Sequence, residues 1–365
     1  MSEFATTLIA WQKVNGRHDL PWQNTTDPYA IWVSEIMLQQ TQVAAVIGYY
    51  AKFMHRFPTI VSLAQATQEE VLQHWSGLGY YSRARNLHHA AQRIMDEHHG
   101  AFPQDFESMQ ALPGIGRTTA AAIASFAFHQ IQTILDGNVK RVLSRHFLVE
   151  GWPSSPSVEK VLWSLAETLL PQQNMVAYTQ GLMDLGATLC TRSQPKCDTC
   201  PLQASCAAFQ KQRVHELPTP KPRKAIPEKH TTMLILLDGD EVMLEKRPPT
   251  GIWGGLWSFP EAENTTYPDL ALTRFGVTTH AGPPLAQLSH AFTHFKLHIF
   301  KLFLEVYTQL RTCMQRWNRW QIFILISHLH PVAAPVYRIN RRNRVLKMKP
   351  IQWMWVNVNI CFKTK

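Results

Sequence analysis

Four cysteines, Cys190, Cys197, Cys200 and Cys206, fall within seventeen residues in the spacing C-x6-C-x2-C-x5-C. Four thiolates that close along a chain can wrap one soft metal centre, and Pro201 directly after a ligand favours a tight turn. Unrelated buried thiols are the plain alternative. Zinc is the chemical rival, although four-cysteine zinc sites usually pair two C-x2-4-C knuckles and here only the middle pair forms one. Two carboxyl groups are the other candidates for chemistry. Glu35 lies in WVSEIMLQQTQV, a helical pattern rich in apolar residues. Burial there would raise its pKa toward that of a general acid at neutral pH, whereas a single helical glutamate ordinarily faces solvent. Asp136 lies in Leu135-Asp136-Gly137-Asn138-Val139-Lys140-Arg141, and an Asp beside Gly before a helix is ordinarily an N-cap or turn residue.

Leu112-Pro113-Gly114-Ile115-Gly116 separates a short helix expected over 105–111 from one beginning near Arg117. Two glycines permit a tight turn that aims backbone N–H groups at the start of a helix toward a phosphate; a simple helix-to-helix turn would use the same residues. With Pro113 and the following TTAAAIASFAF, the segment resembles a helix–hairpin–helix DNA-binding element. The cysteine spacing resembles the [4Fe-4S] cluster loop of the endonuclease III and MutY superfamily. The string DPYAIWVSEIMLQQTQV is similar nearly end to end to that of MutY-type adenine DNA glycosylases.

That resemblance implies a role for each motif. Asp136 would be the carboxylate that stabilises an oxocarbenium-like deoxyribose, through charge or a covalent adduct, with Asn138 positioning it. Glu35 would protonate the leaving adenine. Relatives that also cut the strand carry a Lys just after the hairpin arginine for a Schiff base; here Thr118 and Thr119 follow Arg117, so strand cleavage should be weak or absent. An enzyme acting on a paired base must flip it and plug the gap. Gln40 and Tyr80 correspond to the residues placed beside the base opposite adenine, and Leu112, Gly114, Gly116 and Thr118 to the DNA-binding hairpin. On residue type alone, a Tyr beside glycines is as readily ordinary packing. Arg83 and Arg85 are candidates for phosphate contacts, though helix arginines are commonly just solvated. Phe292-Thr293-His294 resembles a loop that inspects 8-oxoguanine, normally Phe-Ser-His, and GIWGGLWSFPE (251–261) resembles a nudix-related module. Over 262–280 only Glu263 and Asp269 are acidic, too few for the metal-binding helix of a working nudix hydrolase.

The elements that must position these residues are of two kinds. Residues 1–188 carry helical patterning, including an expected helix N-terminus at Asp27-Pro28. The loop 189–207 holds the cysteines, and 208–230, with four prolines among basic residues, has linker composition. From 231 to 305 the pattern turns to alternation, with a hairpin signal at Asp238-Gly239-Asp240. The expected fold is therefore mainly α, a helix–hairpin–helix glycosylase domain with an iron–sulfur loop, plus a smaller α+β nudix-like C-terminal domain. No run of eighteen apolar residues predicts a membrane span, and the first sixteen residues read as a helix rather than a signal peptide. Six cysteines, four of them in that pattern, suit a metal site in a reducing compartment rather than disulfides.

The net charge of +10 invites a nucleic-acid reading, but its distribution weakens that argument. After Glu305 there is no Asp or Glu, and eleven Lys and Arg stand there. The first 305 residues hold 25 of the 36 basic residues against all 26 acidic ones, a net of −1. Residues 306–365 fit either a basic–aromatic nucleic-acid tail or, the reading favoured by the fading family pattern, an altered reading frame. The expected partner is double-stranded DNA carrying adenine opposite 8-oxoguanine or guanine, bound by a monomer in a bacterial cytoplasm in association with the nucleoid. The rivals are a thymine or uracil mismatch glycosylase of the same fold, and a catalytically idle iron–sulfur DNA-binding protein.

Overall fold

The structure, a computed structural model, describes residues 2–222, 225–238, 241–262, 267–292, 294–307 and 353–357. The chain divides into two compact units, Met1–Arg223 and Lys224–Lys365. Thr293 and most of the 306–365 tail lie outside the described residues.

The first unit is helical: α1 (Glu3–Asn15), α2 (Pro28–Leu38), α3 (Val43–Arg56), α4 (Ile60–Gln65), α5 (Gln68–His74), α6 (Ser82–His98), α7 (Phe106–Ala111), α8 (Arg117–Phe128), α9 (Gly137–His146), α10 (Pro156–Thr168), α11 (Met175–Asp184) and the single turn α12 (Ala207–Gln210). Local chemistry sets the starts that matter for the site. Asp27 caps α2 by accepting from the Tyr29 N–H, and Pro28 occupies the first turn, where a missing N–H costs nothing. Asp136 caps α9, accepting from the Val139 N–H at 2.8 Å. The core packs Leu8 of α1, Val139 and Leu143 of α9, Leu162 of α10 and Tyr178 and Leu182 of α11. Helix α2 is buried nearly all round, with Trp32 and Val33 fully enclosed, so a polar group on it is carried into the interior.

Where α11 ends, Leu185–Leu189 continue as a π-helical turn that delivers the chain to Cys190. This turn has no signal in the apolar periodicity. Thr188 Oγ1 donates to the Asp184 carbonyl at 2.8 Å inside it.

The second unit contains β1 (Glu228–Asp238), β2 (Glu241–Lys246), β3 (Trp257–Ser258), β4 (Glu261–Ala262), α13 (Tyr267–Phe275), β5 (Thr278–Ala291), β6 (Lys296–Tyr307) and β7 (Trp353–Asn357). The sheet runs β3-β2-β1-β6-β5, with β1 and β6 parallel and the other neighbours antiparallel; β4 pairs with β1 and β7 with β2. Helix α13 closes one face through Ala271 and Phe275 against Leu234, Leu236 and Leu304. No helix among the described residues is long and apolar enough to cross a membrane.

Asp184, wholly buried at the end of α11, is the polar tie of the helical unit. It accepts from the Arg17 side chain at 2.6 and 2.7 Å, from the Arg17 backbone N–H at 2.9 Å and from Gln180 Nε2 at 2.8 Å. Asp184→Ala strands a guanidinium that keeps 24% of its side-chain surface exposed. The expected cost is about 2–3 kcal/mol, below the full value for a sealed pair, read as a drop in unfolding free energy by urea denaturation.

Candidate active site

A cavity of about 630 Å³ opens in the helical unit, with Glu35, Leu38, Trp22, Phe126, Arg17 and Gln180 among its walls. The neighbours of Glu35 on α2, Ser34, Ile36 and Met37, are buried, while Glu35 keeps partial exposure where it borders the cavity. The residue keeps some surface toward the cavity, but its carboxyl is enclosed by neighbours. Burial, with the Asp136 charge adding to it, raises its pKa from 4.5 to about 8. Glu35 is therefore a protonated acid at neutral pH. Asp184 orients both Arg17 and Gln180 on the same wall.

Asp136 does not line that cavity. It caps the start of α9, close enough to Glu35 for its charge to act there. Burial raises the Asp136 carboxyl, while the Val139 N–H, Asn138 and the Arg141 cation oppose the shift. Asn138 Nδ2 donates to Asp136 Oδ2 at 3.2 Å, and Arg141 Nη2 donates to Asn138 Oδ1 at 2.8 Å. Asp136 is thus an N-cap and a member of a charged network at once. The same Arg141 donates to the Gly186 and Cys190 carbonyls, both at 2.7 Å. One side chain therefore links the carboxylate to the start of the cysteine loop.

All four cysteines border one small apolar cavity of about 30 Å³. Burial pushes the Cys197 and Cys206 thiols up and that of Cys200 up to about 11, with the neighbouring cysteines adding to each shift. Four thiolates so enclosed oppose one another unless a strongly cationic group sits among them. Arg145 is built into the wall. It is 2% exposed and donates to the carbonyls of Thr191, Arg192, Val214 and Leu217 and to Cys190 Sγ at 3.3 Å. Among the described residues no group of three His, Cys, Asp or Glu closes to the spacing of a single bound metal ion. Sequence reasoning passed over Arg141 and Arg145, although their i,i+4 spacing puts them on one face of α9.

The turn 112–116 joins α7 to α8, with Gly114 at φ +81° and a Cβ there meeting Asn86 Cβ at 2.9 Å. Gly116 heads α8 with no side-chain cap, leaving the helix N-terminus to its backbone. Leu112 is 3% exposed, so its side chain belongs to the core and only its backbone borders the turn. Thr118 Oγ1 accepts from the Leu135 N–H at 3.3 Å, pinning the strand-like approach to Asp136. Gln40 and Tyr80 are both exposed and both left-handed, at φ +57° and +49°. Arg83 departs from the expectation of a phosphate contact: it is 8% exposed and turned inward onto backbone carbonyls.

In the second unit, between β5 and β6, the Phe292 N–H donates to the Phe295 carbonyl at 2.8 Å. Phe292 packs on Trp253 (5.6 Å between ring centroids), His290 (4.5 Å) and Phe295 (4.6 Å). His294 is exposed.

Residues 33–168 match the model of the HhH-GPD superfamily base excision DNA repair proteins, and residues 231–357 match the NUDIX domain. A solved thermostable thymine-DNA glycosylase superposes with a TM-score of 0.51 at 30% identity, over 57% of this chain and 95% of that one. The class is thus a helix–hairpin–helix base-excision enzyme with a nudix-like module. Adenine DNA glycosylases of Buchnera aphidicola subsp. Acyrthosiphon pisum (38% identical; 83% of this chain, 87% of that protein) and Rattus norvegicus (35% identical; 94% and 79%) align along most of it. The chain belongs to the adenine DNA glycosylase family and is a base excision repair glycosylase.

The Glu35 shift has a consequence for stability. A carboxyl raised from 4.5 to about 8 holds a proton in the folded state that the unfolded chain releases. Stability is lost as pH rises from 4.5 through 8 and the loss then levels off. Glu35→Gln should therefore raise the thermal midpoint relative to the unmodified protein at pH 9 and much less at pH 4.5, measured by circular dichroism melts at both.

Proposed function

We propose that this glycosylase excises adenine opposite 8-oxoguanine or guanine, by proton-assisted hydrolysis without strand cleavage. One observation carries the reading: Glu35, its pKa raised to about 8 by burial, borders a base-sized cavity, and the hydrogen-bonded Asp136 lies close enough for its charge to act on it. The cavity volume falls in the usual range of about 300–1,000 Å³ for small-molecule sites. Adenine leaves poorly as an anion. Glu35 donates its proton to a ring nitrogen as the bond from that base to C1′ breaks, so the base departs neutral. The electron-poor C1′ is stabilised by the charge of Asp136, which lies outside the cavity lining but close enough to act on Glu35. Water adds its oxygen to C1′ and its remaining proton returns to the carboxyl pair, leaving an abasic sugar and free adenine. No amine follows Arg117, since Thr118 holds that position with its hydroxyl on the Leu135 N–H, so strand scission has no Schiff base to start from.

Gly114, Gly116 and the uncapped start of α8 suit a backbone phosphate. Gln40 and Tyr80 suit the gap left by extrusion, and Phe292 and His294, with Thr293 between them, suit inspection of the opposite base. Cys190, Cys197, Cys200 and Cys206 would hold a [4Fe-4S] cluster, and their convergence on one apolar pocket with Arg145 beside them supports it. Bound there, the cluster would tie the loop to α9 and offset the four thiolate charges. The reading carries a monomer that works on the DNA of a bacterial cytoplasm.

Single-turnover assays on duplexes pairing adenine with 8-oxoguanine, guanine or thymine test it. Adenine release from the first two is expected, with a fall above about pH 8 as Glu35 loses its proton, and at least roughly a hundredfold loss in Asp136→Asn and Glu35→Gln. Release of thymine or uracil instead, or of nothing, would overturn the assignment. Purified protein should be brown and absorb near about 400 nm; zinc without iron by metal analysis would refute the cluster.

A further inference from the structure

The buried guanidinium of Arg83 is left without a role by the chemistry above. It enters from the first turn of α6 and spans two loops that are separate in sequence. Nη1 donates to the carbonyls of Ile36, Met37 and Gln39 at 2.9, 2.8 and 2.6 Å, and Nη2 to those of Leu78 and Gly79 at 3.4 and 3.2 Å. The first three belong to the end of α2, whose last carbonyls have no partner within the helix and sit at the negative end of its dipole. The other two belong to the loop that presents Tyr80. The cation also lies 5.3 Å from the Tyr80 ring centroid and 5.4 Å from that of Trp75. Among the described residues no carboxylate lies within ion-pair distance of it. Burial lowers its pKa only to about 10, so the charge persists at neutral pH.

Two features of the loops give this arrangement a purpose. Gln40 and Tyr80 are both exposed while holding left-handed backbone, a conformation that costs a side-chain-bearing residue energy and persists only when its surroundings enforce it. Each lies one residue beyond a carbonyl that Arg83 holds: Gln39 before Gln40, Gly79 before Tyr80. Gln39 is further tied to the helix–hairpin–helix by its Nε2 to Thr119 Oγ1 bond at 3.3 Å, and Trp75 Nε1 donates to Gly79 at 3.1 Å.

We infer that Arg83 is a positioning residue that holds Gln40 and Tyr80 as one two-part wedge and registers that wedge against the helix bearing Glu35. A planar fork with donors on two nitrogens reaches both loops at once, which a lysine ammonium cannot do. Filling the gap opposite an extruded base and presenting the acid to that base are thereby coupled through one side chain. The inference rests on the proposed reading for what the wedge does, and on geometry alone for how it is held.

Three measurements on the full-length, cluster-containing protein test it. 2-Aminopurine at the target position opposite guanine reports extrusion by its fluorescence, with no need for excision. Arg83→Lys should lower the extruded fraction and the single-turnover rate of adenine release roughly tenfold or more, and should cost less than about twofold in a Gln40→Ala/Tyr80→Ala background. Equal losses in both backgrounds would overturn the inference, since they would mean Arg83 acts on the fold or on Glu35 independently of the wedge. Affinity for undamaged duplex and its salt slope should stay unchanged; a slope reduced by about one would make Arg83 a phosphate ligand and refute the role. Gly79→Ala approaches from the other side and keeps the test open should the lysine variant fold poorly. Its Cβ meets open space but its φ of +75° disfavours alanine, so it should reproduce the loss of extrusion and the same non-additivity with Tyr80→Ala; unchanged extrusion would count against the wedge. A wild-type protein that extrudes 2-aminopurine yet releases no adenine would refute the proposed function and leave the wedge standing.

Discussion

The first turn of α9 is the point on which the helical unit's chemistry and its architecture both depend. Asp136 must satisfy the backbone N–H groups that any helix leaves open at its start, and it does so from a buried position. Removing water from a carboxylate costs energy unless donors replace the water, and the donors here are the Val139 N–H, Asn138 and, through Asn138, Arg141. Arg141 must in turn be satisfied, and it finds the carbonyls of Gly186 and Cys190. The demand for partners thus passes from a capping residue to the π-helical turn after α11 and on to the cysteine loop. The chemistry proposed for Asp136 would use a network that the helix cap already requires.

Buried charge recurs as the organising device of the first unit. Asp184 with the half-buried Arg17, Arg145 in the loop wall and the inward-turned Arg83 each bring a charge into the interior, the two buried arginines held largely by backbone carbonyls. Arginine suits this use because its fork reaches several carbonyls while resisting deprotonation. The buried carboxyl of Glu35 is answered differently. Burial, with Asp136 adding to it, raises its pKa to about 8, and the same burial that lowers stability at high pH makes it an acid near neutrality.

The second unit uses sheet geometry for a related purpose. The Phe292 ring packs among Trp253, His290 and Phe295, close in sequence to the exposed His294. Alternation along β5 and β6 accounts for the strands but not for this cluster, because Trp253 comes from a loop far away in sequence, at φ +52°.

Much of this is legible in the sequence. The cysteine spacing, the Pro-Gly-x-Gly turn, the Asp27-Pro28 start of α2 and the change from helical to alternating pattern near residue 231 are local signals, and local rules of capping, turn formation and periodicity read them. Residue type also named Glu35 and Asp136 as the carboxyls to watch. Which of them carries a proton is a matter of burial and mutual charge, set by helices packed from distant parts of the chain. Arg83 shows the limit most clearly. A helix arginine in this position points to a phosphate, and its inward course depends on the end of α2 and the loop before α6 bringing five backbone carbonyls to it. Sequence by itself determined the donors, the acids and their order; the tertiary structure decided which charges are dry, and therefore what each of them does.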